Sequence, residues 1–173
     1  MLTEIFTERF ILRPLNVNDV GENYAGWLSD NKTSQYITAK INLADLRQYV
    51  TERSGREDIL FLGIFLKESK LHIGNIKFEP VEFKLGYAIM GILIGESDWR
   101  GKGVAKEVIY ASASWLHKNR NIKEIILGVN RSNNAAILAY QKIGFVEMAT
   151  KFIPIFSSEN MTMVWHLNKF SSH

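Results

Sequence analysis

The stretch DWRGKGVAKE, residues 98–107, places two glycines and three basic residues between an apolar run and a helix-like segment. Glycine adopts left-handed backbone conformations easily and lets the backbone approach a ligand closely. Backbone N–H groups at the start of a helix attract anions. We therefore expect this stretch to be a phosphate-binding loop that opens a helix.

The loop differs from the two best-known phosphate-binding motifs. A Walker loop would need Gly-Lys followed by Ser or Thr, which this stretch lacks. The dinucleotide-binding fingerprint would need a third small residue where Lys106 stands. A glycine-rich turn on its own is more often only a turn, so the elements around it must support the binding function.

The segments on either side of the loop predict a parallel strand pair. YAIMGILIG (87–95) is nearly all apolar, as is typical of a strand buried on both faces. A helix follows the loop to about Asn119, and EIILGVN (124–130) is a second buried strand. Parallel strands need such a crossover, so the strand–helix–strand order predicts that the two strands lie parallel.

The rest of the chain alternates between further strands and helices. Strands are predicted at RFILRPL (9–15), at 59–66 and 71–79 as an antiparallel hairpin, at FVEMATKFI (145–153) and at MTMVWHL (161–167). Helices are predicted from Asp19, as N-cap, to Leu28, over 42–53, and over 133–144 with Gly144 as the stop. The result is one α/β domain over residues 1–173, with about seven strands and about four helices.

Composition limits the possible functions. The 173 residues are 46% hydrophobic, which suits one domain with a real core. The absence of cysteine excludes disulfides and thiolate chemistry, and the four histidines show no metal-ligand spacing, so no metal is expected. A net charge of +3 is too mild to indicate nucleic-acid binding and suits a small anionic ligand. Without a signal-peptide pattern or a membrane-length apolar run, we expect a cytoplasmic protein that does not bind membranes.

Two motifs carry a resemblance to a known family. Arg100-Gly101-Lys102-Gly103-Val104-Ala105 matches the Gln/Arg-x-x-Gly-x-Gly/Ala loop of the GCN5-related N-acetyltransferases (GNAT), and it sits between a buried strand and a helix as that family requires. Downstream, the family's Asn-x-x-Ala-x-x-x-Tyr-x-x-x-Gly-Phe segment is matched by Asn133, Ala136, Tyr140, Gly144 and Phe145. TERFILRPL (7–15) and YAGWLSDNKTSQYI (24–37) are similar to the branch that includes the bacterial ribosomal-protein N-terminal acetyltransferases.

The resemblance implies a mixed, mostly antiparallel sheet with a central parallel pair, and acetyl-CoA as co-substrate. In the family the loop amides hold the coenzyme A pyrophosphate. The strand corresponding to Ile92, Leu93 and Ile94 separates from its parallel neighbour, and its backbone groups pair with pantetheine and polarise the thioester carbonyl. The resemblance also implies cofactor contacts for the residues of the second motif and the strand end before it, namely Asn130, Asn133, Ala136 and Tyr140.

Tyr140 corresponds to the family's catalytic tyrosine, which protonates the departing thiolate. An ordinary tyrosine pKa near ~10 makes it a sensible acid toward a thiolate. The alternative is an ordinary half-buried tyrosine on a helix. Many relatives carry a glutamate, as general base, where this chain has Ile89. Glu79, Glu82, Glu96 and His72 are expected to be solvated surface residues, which leaves no obvious base.

The expected acceptor is a primary amine that attacks the thioester directly. A protein N-terminus, with a pKa of about 7.7–8.0, and a small amine or amino sugar are comparable candidates, whereas a lysine at about 10.4 would need a base. The amino-terminal helices, roughly 19–56, are expected to form one wall of the acceptor site, with Tyr24, Trp27 and Tyr36 as lining residues. A non-catalytic acyl-CoA-binding or regulatory domain is the alternative, and either a monomer or a homodimer is compatible with the sequence.

Overall fold

The computed structural model describes residues 4–29, 42–153 and 158–167. Its strands are β1 (Ile5–Phe6), β2 (Phe10–Pro14), β3 (Leu60–Leu66), β4 (His72–Glu82), β5 (Tyr87–Ile94), β6 (Glu124–Asn130), β7 (Val146–Glu147) and β8 (Asn160–His166). Within the described residues the α-helices are α1 (Glu22–Ser29), α2 (Leu43–Arg53), α3 (Val104–Arg120) and α4 (Asn134–Ile143). Short 3₁₀ turns cover Val17–Asp19 and Ser97–Trp99.

All eight described strands form one sheet, in the order β1-β2-β3-β4-β5-β6-β8-β7. Every neighbouring pair is antiparallel except β5 and β6, which are parallel. The predicted mixed α/β sheet with a central parallel pair is therefore confirmed. The predicted hairpin of β3 and β4 is also present, and β4 continues three residues beyond the predicted end.

Two hydrophobic clusters cover the two faces of the sheet. The larger cluster contains the buried residues of α3 and α4, and Ile92 and Ile94 of β5 pack against it. The smaller cluster contains the buried residues of α1 and α2, and Leu93 packs against it. Since successive side chains of a strand point to opposite faces, the two clusters lie on opposite sides of β5.

Two local predictions were wrong. Only Val146–Glu147 of the predicted strand 145–153 forms a strand, and Val146 and Met148 are exposed, so an extended strand there would gain little by burial. Asp19 is not the N-cap of α1, which begins at Glu22. Instead, the Asp19 carboxylate accepts hydrogen bonds from the Asn16 backbone N–H (2.9 Å) and from Arg13, which holds it in the preceding 3₁₀ turn.

Candidate active site

The central parallel pair is paired only at its beginning. Tyr87, Ala88 and Ile89 of β5 pair with Glu124, Ile125 and Ile126 of β6. Beyond Ile89, β5 continues to Ile94, and β6 continues to Asn130 without pairing to β5. The two strands therefore separate toward their carboxyl ends, in the middle of the sheet.

A cleft with a cavity volume of about 470 Å³ lies at this separation. It is lined by both strands, by β8, by α4 and by the segment before β8. The lining residues are Met90, Gly91, Ile92, Leu127, Gly128, Val129, Asn130, Asn133, Tyr140, Ile153, Asn160, Met161 and Thr162. Asn133 and Tyr140 of the second sequence motif thus line the same cleft as the edge of β5.

The backbone of β5 presents polar groups to this cleft. The Gly95 N–H donates to the Ile73 carbonyl on the β4 side (2.8 Å), whereas the Ile94 carbonyl accepts from the Arg100 side chain. Backbone groups of successive residues alternate between the two edges of a strand. The N–H and C=O of Ile92 therefore point toward β6, where the β5–β6 ladder has already ended.

The predicted phosphate loop has the conformation that its glycines allow. Gly101 has a φ of 71° and Gly103 a φ of 74°, values that residues with a side chain rarely adopt. A Cβ at Gly101 would meet no atom within 4 Å, so the loop leaves room for a ligand. Helix α3 begins at Val104, and its N-cap residue, Gly103, has no side chain to cap the first turn. Its free N–H groups suit a phosphate oxygen.

Arg100 ties the loop to the end of β5. Its Nε donates to the Ile94 carbonyl and its Nη2 to the Gly95 carbonyl, each at 2.9 Å. Lys102 points elsewhere, with its Nζ 5.7 Å from the centroid of the Trp99 ring. Arg100 is therefore placed to fix the geometry between strand and loop, and direct contacts of Arg100 and Lys102 with a cofactor stay predictions.

The start of α4 is built by two asparagines that also line the cleft. The Asn133 Oδ1 accepts from the Ala136 N–H (3.2 Å), so Asn133 is the N-cap of α4. The Asn130 Oδ1 accepts from the Ser132 N–H (2.8 Å) and Oγ (2.6 Å). These bonds fix the turn between β6 and α4, and cofactor contacts of Asn130, Asn133 and Ala136 stay predictions.

Tyr140 lies on α4 with its side chain at the cleft. Its ring is tilted against Phe145, with 5.6 Å between the ring centroids. Burial raises the pKa of Tyr140 above the ordinary tyrosine value. Among the described residues no group hydrogen-bonds its hydroxyl, so the proton is available to a ligand.

A family model described as an acetyltransferase (GNAT) domain matches residues 9–146. The chain belongs to the GNAT acetyltransferase family. The curated relative "Uncharacterized N-acetyltransferase p20" of Bacillus licheniformis is 26% identical over 152 residues, which cover 82% of this chain and 84% of that protein. The protein is accordingly an acetyl-CoA-dependent acyltransferase.

Solved structures of GNAT proteins share the fold. A GNAT-family acetyltransferase from Bacillus anthracis has a TM-score of 0.78 at 20% identity, covering 95% of this chain and 98% of that one. The ribosomal-protein-S5-alanine acetyltransferase of Vibrio fischeri has a TM-score of 0.75 at 15% identity (99% and 100% covered). An aminoglycoside acetyltransferase, AAC(6')-Ib, solved in complex with coenzyme A, has a TM-score of 0.73 at 22% identity (91% and 95% covered).

Two of the three residues predicted to bind the acceptor lie in the hydrophobic core. Tyr24 and Trp27 are only 5% and 6% exposed and belong to the smaller cluster. The Trp27 Nε1 donates to the Glu96 carboxylate (3.0 Å). Tyr36 lies outside the described residues. Neither Tyr24 nor Trp27 lines the cleft between β5 and β6, so their contact with an acceptor stays a prediction.

The acidic and histidine side chains considered as bases are engaged elsewhere. His72 is half-buried rather than solvated, because its ring stacks on Phe65 with 4.7 Å between centroids. Glu79 accepts from Lys77 (2.7 Å) and Arg53 (3.0 Å). Burial opposes ionisation of Glu79, but these hydrogen bonds lower its pKa below the ordinary value. A carboxylate with a lowered pKa is a weak proton acceptor.

Two glycines beside the cleft were missed by the sequence reasoning. Gly91 and Gly128 are both exposed, and within the described part of the chain a Cβ at either would meet nothing within 4 Å. They lie two residues beyond the paired Ile89 and Ile126, so they share the α1–α2 face of the sheet. A glycine inside an otherwise apolar strand often marks close approach of a ligand, and that signal was present in both runs.

Across residues 4–29, 42–153 and 158–167, no three His, Cys, Asp or Glu side chains come together as a metal site would require. In the same residues no helix combines the length and the apolarity needed to cross a membrane.

Proposed function

We propose that the protein transfers the acetyl group of acetyl-CoA to a primary amine by direct attack at the cleft between β5 and β6. The observation that carries this proposal is the end of the β5–β6 ladder at Ile89 and Ile126, beyond which the backbone groups of Ile92 point toward β6 in the cavity that Tyr140 also lines. An N–H fixed in this way can stabilise the oxyanion that develops on the thioester carbonyl.

The loop at Gly101 and Gly103 would hold the pyrophosphate. The positive φ values and the uncapped first turn of α3 support this placement. The backbone N–H groups at the start of α3 could donate hydrogen bonds to the pyrophosphate, which carries two negative charges. The pantetheine arm would then run along the β5 edge from the loop toward Ile92.

In the reaction the amine nitrogen bonds to the thioester carbon, and the carbon–sulfur bond breaks. The Tyr140 hydroxyl gives its proton to the departing thiolate, and the nitrogen loses its proton to water. The resulting tyrosinate then regains a proton from solvent, so that the net change is transfer of the acetyl group from sulfur to nitrogen. The raised pKa of Tyr140 keeps the hydroxyl protonated until it is needed. Products are the acetylated amine and coenzyme A.

The acceptor would enter on the face of Gly91 and Gly128, where no atom of the described residues lies within 4 Å of a Cβ placed on either glycine. Because no carboxylate in the described residues is free to act as a base there, an amine that is partly neutral near pH 7.5 is favoured. A protein N-terminus or a small amine such as an amino sugar meets this requirement.

The test is coenzyme A release from acetyl-CoA with a panel of amines. The panel contains peptides with free amino termini, the same peptides with acetylated termini and an internal lysine, amino sugars and polyamines. We expect release with at least one α-amine or amino sugar and little release with the blocked peptides. Tight binding of acetyl-CoA without release for any amine would support the non-catalytic alternative.

A further inference from the structure

The turn between β1 and β2 is bonded to the first turn of α3. The Thr7 Oγ1 donates to Glu107 Oε1 (2.6 Å), and the Arg9 backbone N–H donates to the same oxygen (2.8 Å). The Arg9 Nε donates to Glu107 Oε2 (2.7 Å). A carboxylate four residues after Gly103 is therefore held by an N-terminal segment about 100 residues away in the chain.

Arg9 also contacts the glycine loop itself. Its Nη1 donates to the Lys102 carbonyl (3.0 Å). Its Nη2 is the atom nearest to the position that a Cβ would take on Gly103, at 3.8 Å. The guanidinium thus lies against the loop at Lys102 and Gly103, directly before α3 begins.

Arg9 keeps hydrogen-bonding capacity after these contacts. A guanidinium has five N–H donors, and within the described part of the chain the protein supplies acceptors only to Nε and Nη1. The Arg9 side chain as a whole is 36% exposed. The Arg9 Nη2, next to the backbone N–H groups at the start of α3, is therefore suited to donate to a phosphate oxygen.

The charge of Glu107 explains why an arginine is needed here. Burial opposes its ionisation, but the hydrogen bonds from Thr7 and Arg9 lower its pKa, so it carries a negative charge at neutral pH. A carboxylate in the first helical turn is favourable for the helix and unfavourable beside a phosphate. The Arg9 charge compensates Glu107 and holds the guanidinium in place.

We propose that Arg9 is a further cofactor-binding residue, whose Nη2 donates to a pyrophosphate oxygen of acetyl-CoA at Gly103. Thr7 and Glu107 are positioning residues that fix this guanidinium. The inference rests on the proposed binding of acetyl-CoA at the loop. It gives the TERF segment at residues 7–10 a role in cofactor binding, from outside the two motifs that carry the family resemblance.

The test measures binding of acetyl-CoA and 3′-dephospho-acetyl-CoA by calorimetry to the wild type, Arg9→Met and Arg9→Lys. We expect Arg9→Met to weaken both ligands equally, by about 10- to 100-fold, as for loss of one charge-assisted hydrogen bond. Arg9→Lys should recover part of this loss because it keeps the charge without the fork. The salt dependence of binding should become shallower in Arg9→Met.

The matched control is Arg13→Met, which removes another arginine–carboxylate pair, the one between Arg13 of β2 and Asp19. It should leave both affinities within about twofold of the wild type. If Arg9→Met and Arg13→Met weakened binding alike, or if Arg9→Met weakened only acetyl-CoA and not its 3′-dephospho form, the assignment would be overturned. Unchanged affinity in Arg9→Met would overturn it too. If the wild type itself did not bind acetyl-CoA, the proposed function would fail first.

Discussion

The indole of Trp27 occupies the space where a side chain on Gly95 would stand. A Cβ at Gly95 would overlap three atoms of the indole ring, and the Trp27 Nε1 donates to the neighbouring Glu96. Helix α1 is therefore packed directly on the end of β5, one residue beyond Ile94. Since Arg100 binds the carbonyls of Ile94 and Gly95, this packing also fixes the strand from which the phosphate loop departs.

Gly95→Ala should destabilise the protein. The new methyl group would force the Trp27 indole out of its place, and overpacking of this kind costs about 1–3 kcal/mol. We expect the free energy of unfolding in urea to fall by at least about 2 kcal/mol. Gly26→Ala is the control, because a Cβ there meets nothing within 4 Å inside α1. It should stabilise by roughly 0.5–1 kcal/mol. Equal stability of the two variants would contradict this account of the packing.

Gly91→Leu should slow acetyl transfer to the acceptor amine without affecting the fold. The position is open, so the leucine would project over the cleft on the α1–α2 face. We expect kcat/KM for the amine to fall roughly 10- to 100-fold, because small displacements at the reacting atoms are costly. The melting temperature and the affinity for acetyl-CoA should change little. Gly91→Ala should give a smaller loss, and full acceptor activity in Gly91→Leu would place the acceptor elsewhere.

Asp19→Asn should reduce stability in a way that depends on pH. Burial opposes ionisation of Asp19, but hydrogen bonds from Arg13 and Asn16 lower its pKa below the ordinary value. A lowered folded-state pKa contributes stability that is complete above the unfolded value, near ~3.9, and is lost as the pH falls through the folded value. The difference between wild type and variant in urea unfolding should therefore be largest near pH 7 and shrink below about pH 4.

The control for this experiment is Asp58→Asn. Asp58 also pairs with an arginine, Arg56 (2.7 Å), but both side chains are about half exposed. Exposed pairs contribute little, so Asp58→Asn should change stability less than Asp19→Asn at every pH. A difference between wild type and Asp19→Asn that did not vary with pH would show that the ion pair is not its cause.

The sequence was sufficient to predict the elements around the cleft. Long apolar runs at 87–95 and 124–130 and a glycine loop before a helix carry strong local signals, and the structure has β5, α3 and β6 there. The strand predicted over 145–153 was too long, since only Val146–Glu147 forms a strand, because the sequence alone does not reveal whether either face is buried. The short β1 was missed because two residues have no measurable period.

Contacts between distant segments could not be predicted from the sequence. Nothing in local spacing connects Arg9 with Glu107, or Trp27 with Gly95, because these pairs form only when the sheet brings its parts together. The separation of β5 from β6 is equally invisible, since both runs read as ordinary core strands. It was expected only through the resemblance to the GNAT family.

Gly103→Asp should weaken acetyl-CoA binding by its charge. At a φ of 74° any side chain is strained, so Gly103→Asn is the matched control: it has the same shape and no charge. We expect both variants to lose some stability, and Gly103→Asp to bind acetyl-CoA at least about 10-fold more weakly than Gly103→Asn, since like charges repel at the phosphate. Calorimetry on the folded variants measures this ratio. Equal affinities of the two variants would show that the phosphate does not bind beside Gly103.

Tyr140→Phe should strongly slow acetyl transfer and leave the affinity for acetyl-CoA nearly unchanged. The ring and its packing on Phe145 survive, and no protein hydrogen bond of the described residues is lost with the hydroxyl. We expect kcat to fall by roughly 10²–10⁴, the usual contribution of one positioned proton donor, with acetyl-CoA affinity and melting temperature nearly unchanged. Because burial raises the pKa of Tyr140, the wild type should show no alkaline loss of kcat from this group below about pH 10. An ordinary packing tyrosine would behave differently: kcat would be kept, and only stability would shift. Steady-state kinetics with an accepted amine, over a range of pH, separate the two roles.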